Sequence, residues 1–193
     1  MSSSKTSSSS MRPSNEISTS AWPPWTPGWT AGNEMRVRKA KPEDLGRIIG
    51  LHWEMEAFHT KFDRKFYAKE SRASHLRMAR KHFAKLMVAP RVILLVAEER
   101  GMIVGYLHGS VVDRPPIYRL KKQGVIDELA VSRAFRRRGA AARLLEAAHR
   151  ELRGRGAAMT LLDVDAKNAG ARRFYSKSGY RCRHLRLVKH PAR

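Results

Sequence analysis

The sequence is poor in three things, and each scarcity excludes something. One cysteine, Cys182, in 193 residues excludes an internal disulfide framework and fits a reducing compartment. No apolar run approaches the roughly 20 residues a helix needs to cross a bilayer, so no membrane partner is expected. The N-terminal residues lack a basic-then-apolar leader pattern, and the cytoplasm is the expected location. Acidic residues are few: 17 stand against 39 lysines and arginines, a formal net charge of +22. Such a field disfavours polycationic ligands and attracts polyanions, whether nucleic acid, the ribosome or a phosphorylated cofactor. An arginine-rich but merely solvated surface is the other reading of the same charge.

What is present divides the chain in two. Residues 1–34 are Ser-rich, then Trp/Pro-rich (AWPPWTPGWT), without the apolar periodicity that a core requires. They are expected to be a disordered tail. Lys5, Arg12, Glu16 and Glu34 are their only charges and cancel, so the excess belongs to residues 35–193, which have the length of one domain. There, Met35 to Ala40 alternates like a short strand. Pro42, Glu43 and Asp44 open a helix whose inward stripe is Leu45, Ile48, Ile49, His52 and Trp53. A second helix is expected from Ser71 to Met87, with Leu76, Ala79, Phe83 and Leu86 inward. Val92 to Glu98 and Met102 to Val112 read as a hairpin about Glu99-Arg100-Gly101. A strand over 125–131, a helix from Gly139, a strand over 157–165, a helix over 168–178 and a last strand over 180–188 follow. The order is β-α-α-β-β-β-α-β-α-β. It predicts an α/β (α+β) fold with a mixed, mostly antiparallel sheet flanked by helices.

The chain is organised around GVIDELAVSRAFRRRGAAARLL, residues 124–145. A strand carrying Asp127 and Glu128 leads through Arg136, Arg137, Arg138 and Gly139 into a helix that begins with Ala140, Ala141 and Ala142. The first N–H groups of a helix have no internal partner, and its dipole is positive there. Glycine and methyl-sized neighbours let an anion approach that backbone. This strand–turn–helix is a candidate diphosphate cradle.

These residues resemble the GCN5-related N-acetyltransferase family. Its [Arg/Gln]-x-x-Gly-x-[Gly/Ala] signature falls on Arg136, Gly139 and Ala141. A second family element, AKNAGARRFYSKSGY, supplies Asn168, Tyr175 and Gly179 at the spacing the family uses. The resemblance covers about residues 35 to 188. It departs from the commonest wording at Ala141 and at Ser132-Arg133. It implies acetyl-CoA as cosubstrate and no metal. It also implies that the main chain of Leu129, Ala130 and Val131 pairs with the pantetheine arm, and that Tyr175 is the general acid on the leaving thiol. Asn168 would cap the last helix and bond the cofactor.

For the general base, Glu128 on the central strand is preferred, with Asp163 on the next strand as alternative. Strand alternation places Asp127 and Glu128 on opposite faces. His52 and His59, like His75 and His82, are seven apart, too far along one helix to converge on a metal. Cys182 is expected to pack in the last strand. The function implied is acetyl transfer from acetyl-CoA to a primary amine on a protein N-terminus, a lysine or a small molecule. Glu54, Glu56 and His59, with the first two helices and the loop over 113–122, would shape the acceptor pocket of a monomer or homodimer. The competing reading is a noncatalytic module of the same fold that binds nucleic acid or the ribosome through its basic surface.

Overall fold

A computed structural model describes residues 35–63, 66–67 and 71–189. The Ser/Pro/Trp-rich tail expected over residues 1–34 lies outside them. Five strands are present: β1 (Arg36–Lys39), β2 (Val92–Glu99), β3 (Met102–Asp113), β4 (Lys122–Val131) and β5 (Thr160–Leu162). Four helices accompany them: α1 (Leu45–His59), α2 (Arg72–Val88), α3 (Ala140–Gly154) and α4 (Ala169–Lys177). The strands form one sheet in sequence order; β1 to β4 each run antiparallel to the next, and β5 is parallel to β4. A parallel neighbour requires a crossover, and α3 is that crossover.

Local chemistry sets most boundaries. Arg100 and Gly101 both have positive φ (51° and 77°), the conformation that lets a two-residue turn match the twist of its strands. Pro42 starts a single 3-10 turn, Pro42–Asp44, ahead of α1. The Ser71 hydroxyl accepts from the Ser74 N–H and starts α2.

Strand β2 is apolar on both sides because both sides are covered. Leu94 and Val96, with Ile103 and Tyr106 of β3, pack against Ile48, Ile49 and Leu51 of α1 and Phe83 of α2. Ile93, Leu95 and Ala97, with Val104 and Leu107, pack against Leu144, Leu145, Ala148 and Leu152 of α3. The sheet is thus a filling between an α1/α2 layer and an α3 layer.

Three expectations need correction. The strand expected over 157–165 shortens to Thr160–Leu162. The segment expected as a last strand, 180–188, forms no ladder, and Leu185 and Leu187 are 82% and 91% exposed. Alternation alone does not make a strand; a ladder partner must be available, and β5 is only three residues long. On α2, His75 is buried while Leu76 is 39% exposed. The helix turns an imidazole inward, where it meets the His52 imidazole and the Trp53 ring.

Candidate active site

The site begins with an irregularity in the sheet. Along β3 and β4, His108 pairs with Glu128, but the next residue, Gly109, pairs with Ile126. Asp127 is therefore an extra residue, a β-bulge. The bulge breaks the alternation expected from sequence and brings both carboxylates to one imidazole. Asp127 Oδ2 is 3.6 Å from His108 Nδ1, and Glu128 Oε2 is 3.4 Å from His108 Nε2.

Glu128 is the hub. The Tyr106 hydroxyl donates to its Oε2 at 2.7 Å. His52 of α1 approaches its Oε1 at 3.4 Å, and His52 Nδ1 lies 3.1 Å from His75 Nε2 of α2. Burial alone would raise the Glu128 carboxyl. The imidazoles of His108 and His52 and the Tyr106 hydroxyl outweigh burial and hold it well below the usual carboxylate range. Burial likewise disfavours a charged His52, but Glu128 first and Glu56 second raise it. Burial, reinforced by Glu128, pushes the Tyr106 phenol far up, so it remains a donor.

A cavity of about 270 Å³ opens beside this hub between α1 and α2, lined by His52, Glu56, His75, Met78, Ala79 and His82. Glu56 lies 3.8 Å from His59, which holds its carboxyl below the ordinary value. Of the acidic residues expected there, Glu56 lines the cavity and Glu54 pairs instead with Arg47. Tyr106 and His108 escaped the sequence reading, and His75 and His82 were read there only as a pair too far apart along one helix to hold a metal. Their signals were an i, i+2 pair on a strand opposite Glu128, and two histidines one of which lies on the buried side of α2.

The cradle lies at the end of the same strand. β5 pairs only with Gly124, Val125 and Ile126 of β4, so β4 outruns it from Asp127 on. The Ser132 N–H bonds back to Val104 O at 2.9 Å. Antiparallel bonding alternates, so Ala130 faces β3 while Leu129 and Val131 turn their backbone groups to the open edge.

A 3-10 turn, Arg133–Phe135, then leads to two left-handed residues, Arg137 (φ 63°) and Gly139 (φ 87°). Arg137 has a side chain and still holds a conformation that L residues avoid, a strain that concentrates at functional sites. The Arg143 N–H bonds Gly139 O, so the N–H groups of Ala140, Ala141 and Ala142 precede the first donor of α3 and point out of its start. The flanking guanidinium groups are engaged elsewhere. Arg136 donates to Val131 O and lies over Phe58, and Arg138 lies 3.9 Å from buried Glu99.

Tyr175 sits on α4, half-buried, with its ring against Phe174 and Tyr180. Burial pushes its phenol up to about 12, so it stays protonated through the neutral range. The Asn168 side chain accepts from the Ala171 N–H at 3.0 Å and caps α4. Asp163 lies away from the hub: it is exposed and pairs with Arg186 at 2.8 Å. Cys182 is exposed rather than packed.

A sequence profile of the Acetyltransferase (GNAT) family matches residues 51–180. The aminoalkylphosphonate N-acetyltransferase of Salmonella typhimurium is 32% identical over 107 residues, 55% of this chain and 68% of that protein. A mutant of the BH1408 protein from Bacillus halodurans superposes with a TM-score of 0.74 at 22% identity, over 81% of this chain and 99% of that one. A predicted acetyltransferase from Clostridium acetobutylicum, solved with acetyl-CoA, gives 0.64 at 18% identity, over 81% and 96%. The chain belongs to the GNAT acetyltransferase family, whose acyl donor is acetyl-CoA and for which no metal is indicated.

Proposed function

We propose that the protein transfers the acetyl group of acetyl-CoA to a slender primary amine that enters between α1 and α2. The observation that carries this reading is the coincidence of three features on one strand. β4 leaves its neighbour, presents a carboxylate hub beside a cavity, and ends in a helix start with unpaired donors.

Acetyl-CoA supplies the activated acyl thioester. The Ala140, Ala141 and Ala142 N–H groups hold its diphosphate, and Arg136, Arg137 and Arg138 contribute the surrounding positive field. The exposed edge at Leu129 and Val131 aligns the pantetheine arm and offers an N–H to the thioester oxygen as charge develops there. Glu128 and Glu56 attract the incoming ammonium. An ionised Glu128 so far below its ordinary pKa is an anchor more than a proton store, so the proton leaves through the neighbouring imidazoles rather than resting on the carboxylate. Tyr175 donates a hydrogen bond to the departing sulfur. Asp163, exposed and paired with Arg186, has no part in this scheme.

The cavity volume suits a small amine or a single extended side chain. The substrate named for the Salmonella relative, an aminoalkyl compound, belongs to this class, as does a lysine. The exposed face of α2 carries Arg72, Arg77, Arg80, Lys81 and Lys85, and the helix contains no acidic residue. This supports an acceptor presented by, or beside, an anionic partner such as the ribosome, and a cytoplasmic setting. The tail over residues 1–34 is proposed to lie outside the acetyltransferase domain.

Calorimetric titration with acetyl-CoA at low and high salt tests the cradle. Binding in the micromolar range should survive high salt and be lost in Gly139→Glu. A purely salt-dependent interaction, unchanged by Gly139→Glu, would refute the enzyme reading in favour of a basic binding module. Thiol release against a panel of primary amines then identifies the acceptor class.

A further inference from the structure

Ligating atoms of His82 (α2), His108 (β3) and Glu128 (β4) all lie within 4.8 Å of one another. They come from three different elements, so no spacing along one helix announces them. His108 is 6% exposed, and neither of its ring nitrogens makes a well-formed hydrogen bond, although a carboxylate lies near each, at 3.6 and 3.4 Å. An imidazole buried without a hydrogen bond is costly, and such groups call for an explanation.

We propose that His82, His108 and Glu128 form a binding site for a divalent transition-metal ion of the zinc, cobalt or nickel class. Two imidazoles and one carboxylate are a donor set that suits these ions and leaves a coordination position open. The 3.4 Å between His108 Nε2 and Glu128 Oε2 is about the edge of a tetrahedron built on metal bonds near 2.0–2.1 Å. Asp127 stands on the other side of the ring, 3.6 Å from Nδ1. A carboxylate on the far nitrogen is the usual outer partner of a metal-bound histidine, fixing its tautomer so that Nε2 faces the metal. His82 is exposed at the end of the group and closes the site by side-chain rotation. The bulge that sets Asp127 and Glu128 on the two sides of His108 thereby acquires a purpose. The site stands independently of acetyl transfer. If Glu128 is also the amine anchor of the proposed function, the ion and a cationic acceptor compete for it.

The test uses the full chain, freed of metal by a chelator and titrated with Co²⁺ and then Zn²⁺. One equivalent of Co²⁺ should produce visible d–d absorption that Zn²⁺ abolishes. His82→Ala, a change at an exposed position, should weaken binding at least tenfold, and Asp127→Asn about 10- to 100-fold. His184→Ala, in the exposed segment that also carries Cys182, should bind like the unmodified chain. Absence of Co²⁺ absorption in the unmodified chain at millimolar metal would overturn the proposal. So would full affinity in His82→Ala, or loss of the signal in His184→Ala alone, which would trace it to the exposed cysteine. Acetyl-CoA binding is measured on the same samples, so failure of the metal site and failure of the cradle are separately visible.

Discussion

At the scale of single residues, each polar group of the hub is set by its neighbours rather than by its own type. Glu128 is ionised because two imidazoles and a hydroxyl surround it. Tyr175 keeps its proton because it is half-buried with no cation to favour the phenolate. Substitution distinguishes the roles proposed for the two. Tyr175→Phe preserves the ring that packs against Phe174 and Tyr180, so acetyl-CoA affinity and melting temperature should hold. The turnover number should fall about 10²- to 10⁴-fold. Turnover within a few-fold of the original would show that another group serves the leaving thiol. Glu128→Gln keeps the shape and removes the charge. It should raise the Michaelis constant for the amine with little change in acetyl-CoA affinity, and the reverse pattern would place Glu128 on the cofactor side.

At the scale of elements, the bulge in β4 is the decisive feature, and Gly109 makes room for it. A methyl group added at Gly109 would collide with the Val125 carbonyl, a backbone atom that cannot swing aside. Gly109→Ala should therefore cost about 1–3 kcal/mol in denaturant unfolding. It should also reduce turnover, because the strand that yields carries Glu128 three residues beyond the clash. A variant as stable and active as the parent would mean that the register at the bulge is not tightly held. Gly124 and Gly105 serve packing in the other layer, where added methyl groups would press on Leu152 and on the Ala130 carbonyl.

At the scale of the molecule, charge dominates. Most cations face solvent, but one cluster ties the first strand to the body of the sheet. Arg38 donates to both oxygens of Asp44, at 2.6 and 2.9 Å, and to Glu98 at 2.8 Å. The Lys41 N–H also donates to Asp44. Arg38 above all holds the Asp44 carboxyl below its ordinary value. A folded-state pKa depressed in this way adds stability above the unfolded value, near 3.9, and that stability disappears as pH falls through the folded value. The contribution of this carboxylate to the melting temperature should thus be complete above about pH 5 and fade below about pH 4. Asp44→Asn should melt lower at pH 7 and decline less steeply in acid, so that the two curves converge. Parallel curves would exclude this carboxylate as a source of the acid sensitivity.

Much of this was legible in the one-dimensional pattern because it depends on near neighbours along the chain. The turn at Arg100-Gly101, the caps at Ser71 and Asn168, the stripe Leu144, Leu145, Ala148 and Leu152, and the glycine ahead of three alanines all act within a turn or two of themselves. So does the motif that marks the family. The hub was only half legible: Glu128 stood out, but Tyr106, His108, His52, His75 and His82 reach it from two helices and the adjacent strand. Alternation even placed Asp127 on the wrong face, since a bulge is a property of two paired strands and not of one. The missing last strand has the same origin. Residues 180–188 alternate as a strand should, yet strand formation requires hydrogen bonds from a partner, and β5 ends at Leu162. By itself the sequence determined the order of elements as far as α4, the helix start with unpaired donors and the family. Tertiary structure alone decided which polar side chains meet, because backbone pairing and helix packing bring together residues far apart in the chain, such as His52 and Glu128 in the hub.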